Sequence, residues 1–484
     1  MAEEETLLLK ERVRVNGSLA EATLAADGGE LWWRGEGGES GGNRRLTVES
    51  DVLGIEIEEG SQGRRLNVKA FENASNGVCC GGGGSAMRRV RRDYVFEMPA
   101  MESASRWSDR IRDRINSFGR PKRLFIIVNP FGGTRRAQRK FQNEVKPLLE
   151  AAGIRFTMQE TNHQLHAQEI ARSLDLVECD GIVCVSGDGV LVEVINGLLQ
   201  REDWETAIKV PLGIIPAGSG NGMAKSLLDS VGDLFQVSNA VFAIIRGNKR
   251  SLDVASVVQG KTKFFSVLLL TWGLVADIDI ESEKYRWMGS TRFDIYSLLR
   301  ITNLRRYNGR IQFVPAPGYE GLGDSVEQVE SDRSHASSGP LVEHEGSQWR
   351  YFEGPFISVS INNVPWISED IKLAPEAQFS DGYLDAVIVR DCPRSALLAL
   401  LLKMSGGSYV NSPYVIYLKV KAFQIEPGYL VGNPDRGGIV DSDGEVIARG
   451  AGAHVGEQRE YLMAYGPPIQ MTVDHALATI FCPR

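Results

Sequence analysis

Over the first hundred residues hydrophobic and polar positions alternate in short runs, broken by Gly and polar clusters. Residues 7–16, 30–33, 52–57, 66–71 and 94–98 fit the two-residue period of strands. Over 105–115 the period lengthens: Trp107, Ile111 and Ile115 recur every four residues and predict one amphipathic helix. From Lys122 apolar runs at 124–129, 154–159, 181–186 and 210–215 alternate with helical patterns at 138–152, 167–174 and 191–199. Such alternation predicts a parallel sheet covered on both faces, with ligands at the carboxyl ends of its strands. After Ser251 the pattern is mainly strand-like, at 252–258, 263–271, 351–361, 383–389 and 414–425, with one aliphatic helix at 395–404. Residues 315–348 are rich in Gly, Ser and acidic side chains and poor in apolar ones, which predicts an exposed or disordered insert.

Three regions follow. Residues 1–118 are expected to be mainly β, resembling a pleckstrin-homology-like barrel closed by its helix. Residues 119–250 form an α/β lobe, and 251–484 a β-rich, sandwich-like lobe carrying the insert at 316–348. Composition narrows the possible functions. A net charge of −8 gives no basis for binding nucleic acid. Six cysteines without CxxC spacing read as scattered thiols of a reducing cytosol. No apolar run approaches the roughly 20 residues of a spanning helix. The N-terminus is acidic, Gly is absent at position 2, and Cys482 is not four from the end, so neither a signal nor a lipid anchor is expected. Arg88, Arg89, Arg91 and Arg92 follow a Gly-rich loop at 79–85. They fit either contact with an anionic membrane or a solvated strand.

Three glycine-rich turns end three of the α/β strands: Asn129-Pro130-Phe131-Gly132-Gly133, Ser186-Gly187-Asp188-Gly189 and Pro216-Ala217-Gly218-Ser219-Gly220-Asn221. Glycine lets backbone amides approach an anion, and a following helix N-terminus adds a favourable dipole. Three such turns on one sheet edge point to phosphate binding. None is a Walker loop or a GxGxxG turn. Asp188, between two glycines at that edge, suits a base accepting a hydroxyl proton during phosphoryl transfer, although a turn aspartate can also bond its own backbone. His163 and His166 lack a Cys or third His at ligand spacing, so no metal site is expected there.

Together these loops resemble the diacylglycerol-kinase-type catalytic domain of two-lobed lipid kinases. Trp272 to Arg286 (WGLVADIDIESEKYR), Asp203 to Ala207 (DWETA) and Asp441 to Glu445 (DSDGE) are similar to sphingosine kinases, and the N-terminal extension and insert resemble plant-type members. The resemblance implies Asp188 as the base, with Ser186, Gly187, Gly189 and Asp279 meeting the acceptor. For ATP it implies Asn129, Pro130 and Phe131, the turn Thr161, Asn162, His163, Gln164 and Leu165, then Glu193, Gly218, Ser219, Gly220, Arg286, Arg292, Asp443, Gly444 and Glu445. Phe131 stands where the family often has a basic residue. Arg286 and Arg292 also fit a solvated helix face, and the 443–445 acids could serve Mg²⁺ or ribose. Asp279 would take the sphingoid ammonium, with Asp277 on the other side of a strand. The implied cosubstrate is ATP with Mg²⁺ held mainly through its phosphates, and the implied acceptor is a sphingoid base. A cytosolic protein is expected, in reversible contact with anionic membranes: endomembranes such as the vacuolar one, or the plasma membrane. A ceramide or diacylglycerol kinase is the nearest alternative, and a non-catalytic lipid-binding adaptor a more distant one. Their acceptors carry no amine for Asp279 to meet, and an adaptor has no use for Asp188.

Overall fold

Small side chains hide two of the strands that build the N-terminal sheet. The computed structural model describes residues 9–35, 43–60, 63–73, 88–133, 135–289, 291–326, 348–452 and 461–483. Seven antiparallel strands run in the order Arg44–Thr47, Glu30–Gly35, Ser18–Leu24, Leu9–Val15, Arg89–Met98, Gly63–Asn73 and Val52–Gly60. Ser18–Leu24 carries its inward period on Ala20, Ala22 and Leu24, and Arg44–Thr47 on Leu46 alone, so neither stands out as an apolar run. The helix Met101–Ser117 closes the sheet, burying Ala104, Trp107 and Ile111 against Leu66, Val68 and Phe96. Each large side chain buried in this way contributes about 1.5–3 kcal/mol.

This sheet is fastened to the next region by the basic run. Arg89 donates to the carbonyls of Ser50 and Phe71 at 2.6 and 3.3 Å and lies over the Phe242 ring. Arg91 pairs with Asp93 at 3.1 Å and Arg92 with Glu72 at 2.9 Å. Three of the four arginines are therefore engaged within the protein. The Gly-rich loop before them lies outside the described residues.

Leu212–Pro216, Ile182–Ser186, Arg123–Val128 and Arg155–Glu160 pair in that order, all parallel. Their alternate side chains enter two cores. Phe125 and Ile127 meet the helices His166–Ser173 and Asp188–Leu199, whereas Leu124, Ile126 and Val128 meet Phe141, Leu148 and the helix Val237–Arg246. The helix expected over 138–152 is not a single α-helix, because a π turn at Phe141–Val145 interrupts it. The strand Ile469–Phe481 joins this sheet to the β-rich part. It meets Leu212 in parallel through Ile480 and runs antiparallel to Lys249–Gln259 and Val415–Leu430.

Two expected strands are each divided. The run 263–271 breaks into Thr262–Ser266 and Leu269–Gly273 because the amides of Val267, Leu268 and Leu269 all turn to the Asp443 carboxylate. The run 351–361 breaks into Arg350–Glu353 and Phe356–Asn362 at Pro355, which has no amide to donate. Within the expected insert, Asp324–Ser325 pairs with Arg350–Glu353 and Ala316 is buried. Residues 327–347 lie outside the described ones.

Candidate active site

The three glycine turns touch one another. Gly133 sits at φ +55°, and a Cβ there would stand 2.7 Å from the Gly218 carbonyl carbon. A Cβ on Gly218 would stand 2.3 Å from the Gly187 Cα, so the turns can meet only as bare backbone. Side chains then pin each turn. Asn129 Oδ1 accepts from the amides of Phe131 and Gly132 at 2.9 and 3.1 Å. Asn221 accepts from the Gly218 amide and donates to its carbonyl, both at 3.0 Å. Ser186 is buried and donates to the Gly187 carbonyl at 2.7 Å, so it supports the turn from below.

Asp188 is the first residue of the helix Asp188–Leu199 and points at the start of another. Its Oδ2 and Oδ1 accept from the Gly222 and Met223 amides at 2.6 and 3.2 Å, in the first turn of Gly222–Asp229. Burial pushes its pKa up to about 7. The two amides pull it down, and the charge of Asp443 adds to the rise. Such a carboxyl is poised to take a proton near neutrality. It caps the start of a distant helix rather than bonding the backbone of its own turn.

Asn162, His163 and Gln164 form a turn after the strand Arg155–Glu160, beside buried Thr161. Gln164 reaches Glu445 at 3.3 Å across 281 positions of sequence, joining this turn to the late acidic motif. Glu193 accepts from the Ala167 amide at 3.1 Å, capping His166–Ser173, and burial raises its pKa. Asp443 accepts from Val267, Leu268 and Leu269 at 3.2, 2.9 and 2.9 Å, so its oxygens are committed to the turn that splits the neighbouring strand. Burial pushes its pKa up to about 6 against those amides.

Asp279 lies on a helix, Leu274–Ser282, rather than on a strand. Gly273, at φ +88° with a would-be Cβ 2.5 Å from the Ile357 carbonyl, turns the chain out of Leu269–Gly273. Two helical residues span roughly 200°, so Asp277 still points away. It accepts from Arg305 and the Tyr307 hydroxyl, both at 3.0 Å. Asp279 instead faces Arg292 of Thr291–Thr302, Oδ1 to Nη2 at 3.6 Å.

All of this opens on one cavity of about 660 Å³. One end is backbone, from Asn129, Gly132, Gly187 and Gly218 to Gly220. The charged residues of the lining include Asp188, Asp279, Arg292, Asp443 and Glu445. The far end is apolar, with Val275, Phe293, Ile301, Leu373, Val389 and Leu400. Pro130, Leu165 and Ser186 do not line it, and the Arg286 side chain is outside those described. Asp441, Ser358 and Ser360 line it without having been singled out individually. Sequence reading also missed Glu169, one turn after His166, which brings a third possible ligand, a carboxylate, to the His163 and His166 rings. His163 Nε2 stands 3.6 Å from that carboxylate, and the group lies at the surface.

Residues 123–257 match the diacylglycerol kinase catalytic domain, and residues 340–455 match the YegS C-terminal NAD kinase beta sandwich-like domain. The chain is 52% identical over 483 residues to Sphingosine kinase 1 of Arabidopsis thaliana, covering 99% of this chain and 97% of that protein. It is 51% identical over 479 residues to Sphingosine kinase 2 of the same plant, covering 98% and 96%. To Sphingosine kinase 1 of Homo sapiens it is 35% identical over 340 residues, covering 68% and 87%. The fold is thus that of a diacylglycerol-kinase-like enzyme with a sheet-rich C-terminal domain and a β-rich N-terminal region. The resemblance read from these separated motifs is borne out, and the chain belongs to the sphingosine kinase family.

Proposed function

We propose that this lipid kinase moves the γ-phosphate of ATP onto the primary hydroxyl of a sphingoid long-chain base. One observation carries the reading: a single cavity is lined by the touching backbone of the glycine turns, by a cluster of hydrocarbon side chains and by Asp188. The glycine turns bring bare backbone together on the cavity wall, and amides so exposed fit phosphate oxygens. Mg²⁺ would neutralise those phosphates and is held chiefly through them, since the Asp443 oxygens are committed to amides. Asn129, Phe131, Thr161, Asn162, His163, Gln164, Glu193, Ser219 and Glu445 surround the nucleotide. Arg292 takes charge developing on the transferred group. Asp188 accepts the proton of the attacking hydroxyl. Asp279 meets the ammonium of the acceptor, an acceptor-only group facing a donor-only one. The apolar end takes the alkyl chain, whose burial contributes about 0.8 kcal/mol per CH₂.

The organisation proposed with this function divides the chain at 118/119 and 250/251, the first part being pleckstrin-homology-like. No helix among the described residues is long and apolar enough to cross a membrane. Contact with the bilayer that holds the acceptor is proposed to be peripheral and reversible. Ile295, Leu298, Leu299, Leu398 and Leu402 support this, being exposed on two helices whose other faces line the apolar end. Transfer of labelled phosphate should be measured against free long-chain bases, ceramide and diacylglycerol. Free bases should be the preferred acceptors, and equal or better transfer to ceramide or diacylglycerol would overturn the reading.

A further inference from the structure

Asp441 has no role in the chemistry above, yet it is the most deeply buried carboxylate on the cavity wall. It is 1% exposed. Three neighbouring strands place it there. Ser360 of Phe356–Asn362 lies opposite Thr271 of Leu269–Gly273, and Thr271 lies opposite Asp441 of Ile439–Ser442. Residues directly opposite in antiparallel pairs share a face, so these three form a polar row. The neighbouring row, Val359, Trp272 and Val440, turns the other way into the core. The polar row is tied up except at one atom. Ser360 donates to Asn362 at 2.9 Å, and Thr271 donates to Asp441 Oδ2 at 3.4 Å. Asp441 Oδ1 is buried with no hydrogen-bond partner.

A buried oxygen left unpaired costs about 1–3 kcal/mol, which a ligand donor would recover. Burial, with repulsion from Asp279, Asp443 and Glu445, holds this carboxyl well above the usual carboxylate range despite the nearby Gly444 amide. A carboxyl shifted in this direction favours its neutral form, which pairs with a hydroxyl as both donor and acceptor. Asp279 is its strongest charged neighbour. On a sphingoid base the 1-hydroxyl goes to Asp188 and the 2-ammonium to Asp279. The donor adjacent to the amine on the side away from the reacting carbon is the 3-hydroxyl.

We propose that Asp441 is an acceptor-binding residue that holds the 3-hydroxyl of the long-chain base and makes the enzyme selective for bases bearing it. The inference rests on the acceptor being a sphingoid base. The test is a cycle of two acceptors, sphinganine and its 3-deoxy analogue, against wild type, Asp441→Ala and Asp441→Asn, with Mg²⁺ titrated in each. Wild type should favour sphinganine in kcat/KM by about tenfold. Asp441→Ala should lose about that factor on sphinganine and discriminate less than about twofold, whereas Asp441→Asn, which keeps a donor and an acceptor, should retain most of the preference. The KM for ATP should not move. Melting temperatures at or above that of wild type are expected, because the substitutions remove a buried acid facing three others. If neither substitution alters the preference, or if only the Mg²⁺ dependence shifts, the assignment is overturned while the acceptor class stands. Failure of wild type to phosphorylate any free base overturns both.

Discussion

The two ends of the cavity are made of different material. At the glycine-turn end the wall is main chain, where Gly133, Gly187 and Gly218 pack so closely that no side chain fits between them. At the far end it is side chains from four separated segments, among them Val275, Ile301, Leu373 and Leu400. Backbone amides at helix starts recognise charge through fixed dipoles and tolerate little displacement. An apolar wall recognises area, which falls off gradually with shape. Substitutions at the two ends should therefore fail differently. At the junction, Asp188→Asn should lower kcat by about 10² to 10⁴ with ATP affinity nearly unchanged. More than a tenth of wild-type turnover in the folded variant would remove Asp188 from the chemistry.

Gly218→Ala tests the backbone end. The added methyl drives the second and third turns apart, so the KM for ATP should rise at least tenfold and stability should fall by about 1–3 kcal/mol. Gly220→Ala, whose new Cβ meets nothing closer than 4.0 Å, should be far milder. Equal effects would show that close packing of the turns is not what matters. Leu400→Phe tests the other end. It should raise KM several-fold for an 18-carbon base, less for shorter ones, and leave ATP kinetics alone; a change in ATP binding instead would break the division. The smallest effect is expected from removing residues 327–347, whose composition is poor in apolar side chains. Activity should stay within about twofold, since long surface insertions have a small loop-closure cost.

The same contrast explains what could be read from the chain alone. Glycine turns are local: NPFGG, SGDG and PAGSGN each state their geometry within six residues, and the structure brings all three together. The alternation around Asp277, Ile278 and Ile280 mimics the two-residue period of a strand. Gly273, by its left-handed turn, starts a helix there. The break at Val267 to Leu269 is set by a carboxylate 174–176 positions away, so no local pattern could announce it. Asp441 cannot be told apart from Asp443 within the motif, since its unpartnered oxygen and its place on the cavity wall depend on strands far away in sequence.

The most direct test of Asp188 as the base at the junction is the pH dependence of kcat/KM for the acceptor, with thermal stability followed in parallel. The carboxyl must ionise before it can accept a proton, so the rate should climb about tenfold per pH unit and level off near pH 7. The stability linkage has the opposite sign. The folded protein keeps a proton that the unfolded chain releases near pH 4, so this contribution is full below about pH 4 and is lost as pH rises through about 7. Wild type should therefore lose melting temperature over that window, and Asp188→Asn should lose less. A rate that is flat from pH 5 to 8, or a rising limb that survives in Asp188→Asn, would contradict the account.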